Sequence, residues 1–197
     1  MLSVGKILTK REEFPMKKLI ATLAAVALAA MMSGCASTPQ EKSANKLLEM
    51  QAVKTKYLKE KIPAGMGIGV SKDEQIAMEK ADQNARVDLA RELDVRMKAL
   101  TKNFKEDVGG DVAEHFQSAS KAIIDTRMNG ATLTDVQIET TEDGQFKVYG
   151  VMTLGTDLVN EYLKSLQNSD AISEAQKNKI RAAADKAYAE IDAATAK

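Results

Sequence analysis

Ala64-Gly65-Met66-Gly67-Ile68-Gly69-Val70 places glycine at every second position of a short strand. Glycine weakens a strand, so three of them on one face imply that this face, bare of side chains, is pressed against another backbone. The partner the sequence offers is a helix. Ser71-Lys72-Asp73-Glu74 has the form of a capping box, with Ser71 accepting from the Glu74 amide and Glu74 reaching back. Ile76, Ala81, Ala85, Leu89, Leu93, Met97, Leu100 and Phe104 then recur mostly every three or four residues, which predicts one long amphipathic helix to about Asp107. Its first half carries alanines and its second half larger residues, so the Ala81/Ala85 end is expected to lie tightest on the sheet.

Gly109-Gly110 interrupts the pattern, and a second helix follows with Val112, Phe116, Ala119, Ile123 and Ile124 inward, closed by Gly130 as a left-handed cap. Phe146, Val148, Met152 and Leu154 alternate on one face of a strand, and Val136 and Ile138 mark the same core face of the strand before it. Those faces coincide only if the loop has three residues, Glu142-Asp143-Gly144, which pairs Ile138 with Val148 and puts Gly144 in the left-handed position. Thr156 is the expected cap of a short helix burying Leu158, Val159, Tyr162, Leu163 and Leu166. The predicted class is α+β: a small antiparallel sheet of about three strands on a long amphipathic helix, with flanking helices at both ends.

The flanking segments are less regular in their apolar spacing. Lys46 to Lys61 carries Leu47, Met50 and Tyr57 in one register and Leu48 and Leu58 in another, with Lys54 and Thr55 interrupting them, and it must end before Pro63. A last helix over residues 173–197, capped by Ser173 with Gln176, repeats alanine and charge, and its only large apolar residues are Ile180, Tyr188 and Ile191. A helix so poor in apolar surface is marginal alone. It is expected to extend from the 62–168 domain or to pair with the 46–61 helix, another copy or a partner.

Upstream, Lys17-Lys18 is a basic n-region, Leu19 to Met32 an apolar stretch of signal-peptide length, and Ser33-Gly34-Cys35 the end of a lipobox. The apolar run is shorter than the roughly 20 residues a bilayer span needs. Lipoprotein signal peptidase needs small side chains before its cleavage point and a thiol after it, since diacylglycerol is joined through sulfur. Cys35, the single cysteine, is therefore the expected lipidation site, with 16–34 as signal peptide and 35–45 as a lipidated tether. Met16 is the expected start and residues 1–15 a mis-assigned extension, because acidic Glu12 and Glu13 do not suit a signal. Ala36 and Ser37 lack the aspartate that retains lipoproteins at the inner membrane, so outer-membrane residence, facing the periplasm, is the expectation.

The chemistry inventory is thin. Residues before Cys35 hold five of the 28 basic and two of the 28 acidic side chains, leaving 23 against 26 without a basic cluster, which argues against nucleic acid. His115 is the single histidine, so no zinc set or cysteine–histidine pair can be assembled within one chain. It is expected on a helix surface, solvated or hydrogen-bonded. The 65–69 glycines lack the G-x-G-x-x-G spacing and the Gly-Lys-Ser/Thr ending of phosphate loops. Asp82, Arg86, Arg91, Asp94 and Arg96 read as a solvated stripe. No catalytic, cofactor or metal residues are assigned.

Ala64-Gly65-Met66-Gly67, followed by Ala81, Ala85-Arg86, Leu89-Ala90, Leu93 and Val95, resembles the LPP-twenty lipoprotein family of twenty-kilodalton envelope lipoproteins, over about Ile62 to Gln167. The resemblance implies an α+β fold, a lipid anchor carrying acyl chains such as palmitate, and no established catalytic residues. The expected function is that of a non-catalytic structural or assembly component of the cell envelope. It would act through an envelope protein partner or self-association, and through the membrane. A periplasmic small-ligand carrier is the alternative, promoted by an apolar cavity between sheet and long helix; an envelope enzyme stands third.

Overall fold

The glycine face meets the long helix as the sequence requires. The computed structural model describes residues 39–166 and 173–195, which pack as one unit. Their elements are α1 (Pro39–Lys59), β1 (Ala64–Ser71), α2 (Glu74–Asp107), α3 (Gly110–Asn129), β2 (Leu133–Thr140), β3 (Phe146–Thr153), α4 (Leu158–Ser165) and α5 (Glu174–Thr195). The sheet is antiparallel in the order β1-β3-β2. A Cβ on Gly69, Gly67 or Gly65 would overlap the carbonyl oxygens of Ala77, Ala81 and Ala85 respectively. No side chain fits between β1 and α2, and Ala77, Ala81 and Ala85 are fully buried there.

The register pairs Gly67 with Gly150 and Gly69 with Val148 on β3, and Val136 with Gly150 and Ile138 with Val148 on its other side, so all of these share the α2 face. The hairpin has the expected three-residue loop: the Thr141 N–H donates to the Gln145 carbonyl at 2.8 Å, and Gly144 has φ 75°. The opposite face of the sheet is covered by α1, whose Met50, Leu47 and Val53 pack with Tyr149, Val151, Met66 and Ile68. Strand β3 is thus buried on both sides. Beyond the sheet, the second half of α2 joins α3, α4 and α5 around Leu100, Phe104, Phe116, Tyr162 and Ile180.

Several expectations are corrected. Helix α1 starts at Pro39, so residues 39–45 are helix and not tether; proline is favoured in a first helical turn because its missing N–H is not needed there. Helix α1 lies on the sheet, and α5 lies on α2 with Ile180, Ala183, Ala184, Ala187 and Tyr188 buried, so both terminal helices pack their inner faces within the chain. Val136 and Ile138 have the predicted facing but are 39% and 38% exposed, because α2 covers β1 and β3 and leaves edge strand β2 uncovered. Ile76 is exposed, and Ala77 takes its inward place.

The caps shift too. Asp73 caps α2, accepting from the Ile76 N–H at 3.0 Å, since Ser71 is held in the strand opposite Phe146. Asp157, not Thr156, caps α4, while the Thr156 hydroxyl donates to Glu161. Gly130 has φ −103° rather than a left-handed conformation. Its N–H still reaches the Arg127 and Met128 carbonyls, and Arg86 secures the helix end from outside, its guanidinium donating to Met128 O at 2.6 Å and Ala131 O at 2.8 Å. The Ser173–Gln176 capping box forms as read, with the Ser173 N–H donating to Gln176 Oε1 at 2.9 Å.

Candidate functional site

Cys35 and the 16–34 signal lie outside the described residues. His115 is exposed, with Nδ1 3.1 Å from the Tyr162 hydroxyl. Among the described residues, no three His, Cys, Asp or Glu side chains gather as a metal set, and no helix is long and apolar enough to cross a membrane.

Where the first turns of α1 meet the hairpin, a polar cluster forms. The Tyr149 hydroxyl donates to Glu139 Oε1 at 2.8 Å and lies 2.7 Å from Ser43 Oγ, which accepts from Lys147 Nζ at 2.7 Å. Lys46 Nζ donates to the Ile138 carbonyl at 3.1 Å and stands 3.8 Å from Glu139. Burial works to raise the Glu139 pKa, but hydrogen bonds from Tyr149 and Ser43 and the charges of Lys46 and Lys147 outweigh it and hold the carboxyl below its ordinary value. An open groove of about 610 Å³, lined by Gln40, Lys42, Ser43, Lys46 and residues 139–143, borders this cluster. Ser43 and Lys46 are one helical turn apart, the spacing of a serine–lysine pair. Lys46, however, reaches the Ile138 carbonyl, and it is Lys147 that donates to Ser43 Oγ. The cluster is a clasp that docks α1. Helix α1 continues it along β2, with Glu49 accepting from Gln137 at 3.2 Å and Tyr57 donating to Asp135 at 3.1 Å.

The two edges of the sheet are treated differently. Along β1, a row from α2 occupies the outward backbone: Asp88 accepts from the Met66 N–H at 2.8 Å, Asn84 donates to the Ile68 carbonyl at 2.8 Å and Lys80 to the Val70 carbonyl at 3.0 Å. Lys54, which breaks the apolar register of α1, reaches round this edge to Asp88 at 2.6 Å. Such capping blocks strand addition. Along β2, exposed Val136 and Ile138 stand beside an open groove in which Met78, Leu133 and Val136 are joined by polar Glu79, Asp82 and Gln83. The chain matches no family model, no curated protein and no solved structure in the comparisons made.

The stripe of charges read as solvated is not uniform. Arg96 is only 3% exposed: Nε donates to Glu92 at 2.6 Å, Nη2 to the Leu58 carbonyl at 3.3 Å, and the guanidinium lies 5.3 Å from the Tyr188 ring centroid. Tyr188 in turn donates to Asp157 at 3.2 Å, and burial, then the Asp157 charge, push its pKa well above the ordinary tyrosine value. This knot ties the end of α1, the cap of α4 and α5 to α2. No local signal in the sequence separates Arg96 from Arg91, which lines an exposed groove.

Proposed function

We propose that this chain is a lipid-anchored lipoprotein of a diderm envelope, allied to the LPP-twenty family, held by acyl chains on Cys35 at the outer membrane and facing the periplasm. It is a non-catalytic structural or assembly component that works through protein contacts. The observation that carries the anchor is the order Lys17-Lys18, Leu19 to Met32, Ser33-Gly34-Cys35. Several acyl chains give stable anchoring where a single chain is marginal.

The contact reading is supported by the unequal sheet edges. The inner faces of both terminal helices are engaged within the chain, and β2 offers exposed Val136 and Ile138, on an edge less fully capped than that of β1 although Lys46 holds the Ile138 carbonyl, to an extended segment of an envelope partner, the strand-addition mode of recognition. Ile138→Lys keeps the fold, because the side chain is exposed, and is expected to abolish a complex crosslinked in intact cells. A complex unchanged by Ile138→Lys excludes β2 as the contact, and one found to contain two copies of this chain identifies self-association. For the anchor, Cys35→Ser is expected to leave the membrane fraction; fractionation like the parent excludes it, and recovery with inner membranes excludes the outer-membrane location.

The carrier reading draws on the 610 Å³ groove at the hairpin. It loses the site first expected for it, between sheet and α2, where glycine backbone and helix are in contact.

A further inference from the structure

Helix α1 leaves one feature unspent. Its inner face uses Leu47, Met50 and Val53 on the sheet, yet Leu48 points outward and is 61% exposed, the most exposed large apolar side chain among the described residues. Ala44 and Ala52, one turn to either side, are also exposed, so the outer stripe is apolar along its middle. Lys42, Lys56 and Lys59 stand exposed around it. Of the charged residues of α1, Lys46 and Lys54 are committed to Ile138 and Asp88, which leaves Lys42, Lys56 and Lys59 exposed against Glu41 and Glu49, whereas α2, on the far side of the sheet, holds seven basic against eight acidic residues. Exposed valines on α2, Val87 and Val95, therefore sit in a near-neutral, slightly acidic setting, and Leu48 in a basic one.

The chain itself limits where this face can be. Pro39 stands four positions after Cys35, a separation that spans at most about 14 Å. The clasp of Ser43, Tyr149, Lys147 and Glu139 fixes α1 to the sheet, so the helix cannot swing free of the domain.

We propose that the outer face of α1, Ala44, Leu48 and Ala52 flanked by Lys42, Lys56 and Lys59, rests on the membrane surface and lays the domain sheet-down on anionic lipid. The inference rests on the anchoring at Cys35. Leu48 and the alanines enter the headgroup boundary, as on an interfacial helix, and lysines at the surface are drawn by the negative potential of anionic lipids. The sheet then lies roughly parallel to the bilayer, with α2 on top and the β2 edge open sideways.

The test uses the lipidated full chain in phosphatidylcholine vesicles with and without phosphatidylglycerol. Bimane is placed on Ala52→Cys, on Asp143→Cys at the hairpin tip or on Ala90→Cys on the exposed side of α2, and a nitroxide quencher is carried in the lipid headgroups. Quenching at residue 52 is expected to exceed that at 143 and to be several-fold above that at 90, to rise with phosphatidylglycerol, and to fall in Leu48→Glu and in the double variant Lys56→Glu, Lys59→Glu. Strongest quenching at 143 means the domain stands on its hairpin end and overturns the proposal, as does equal quenching at 52 and 90. Flotation of the parent and Cys35→Ser separates the two claims. If the parent floats and Cys35→Ser does not, a silent residue 52 refutes the face and leaves the anchor standing; if both float equally, the anchor fails and this inference with it.

Discussion

The two halves of α2 are buried by opposite means. From Ala77 to Leu89 the helix rests on Gly65, Gly67 and Gly69, backbone against backbone, with alanine the largest side chain allowed through most of the contact. From Leu93 to Phe104 it is held by large side chains, with Phe104 edge-on to Phe116 at 4.7 Å between ring centroids and Phe116 edge-on to Tyr162 at 5.2 Å. The first half has no slack for an added atom. The second half has volume to lose, and the two therefore fail to different substitutions.

Gly67→Val is expected to have the largest effect. Its Cβ meets the Ala81 carbonyl and the Ala85 amide, both main-chain atoms inside a helix, so relief requires lifting α2 off the sheet. Overpacking a core commonly costs about 1–3 kcal/mol; here the loss of the cooperative unfolding transition is expected. A melt like the parent's would break the comparison at its stiff end. Phe104→Ala follows, at about 3–5 kcal/mol by chemical denaturation, and Phe104→Leu should recover most of that. Equal losses for the two would mean that the aromatic contact, not volume, holds the second half.

Gly144→Val, away from both halves, is a calibration. Nothing stands near the site, so only its φ of 75° resists a side chain, and a loss on the order of 1 kcal/mol is expected. An unchanged melting temperature would mean that the turn relaxes.

Tyr188→Phe is the smallest change and is read through pH. Burial raises the folded-state pKa of Tyr188, so its contribution is complete below the unfolded value of about 10 and is lost as pH rises beyond it. The variant should lose about 1 kcal/mol at neutral pH with the Asp157 bond. The gap from the parent should close at alkaline pH, and one that stays constant through pH 11 would remove the burial argument.

What the sequence disclosed was local or periodic. The glycine face, the alanine stripe, the three-residue hairpin loop and the Ser173 box follow from spacing alone. Misread features depended on partners far along the chain. Ser71 and Asp73 both suit a cap, and pairing of Ser71 with Phe146 decides between them. Val136 and Ile138 alternate as core residues do, yet whether a helix reaches over them is set by how closely the glycines draw α2 onto β1. Residues 39–45 look like a polar tether until Ser43 and Lys46 find Tyr149, Glu139 and the Ile138 carbonyl across the sheet. Arg96 carries no sign of burial without Leu58 and Tyr188. The polar clasp was illegible for the same reason: its members lie some hundred positions apart, as Ser43 and Tyr149 do at a separation of 106.

The proposed function rests first on attachment at Cys35. The most direct test is mass spectrometry of the full chain expressed in a diderm host. The account predicts an amino-terminal peptide beginning at Cys35 and carrying the mass of a diacylglyceryl group, with or without a further acyl chain. An amino terminus elsewhere, or a Cys35 peptide with a free thiol, would contradict it.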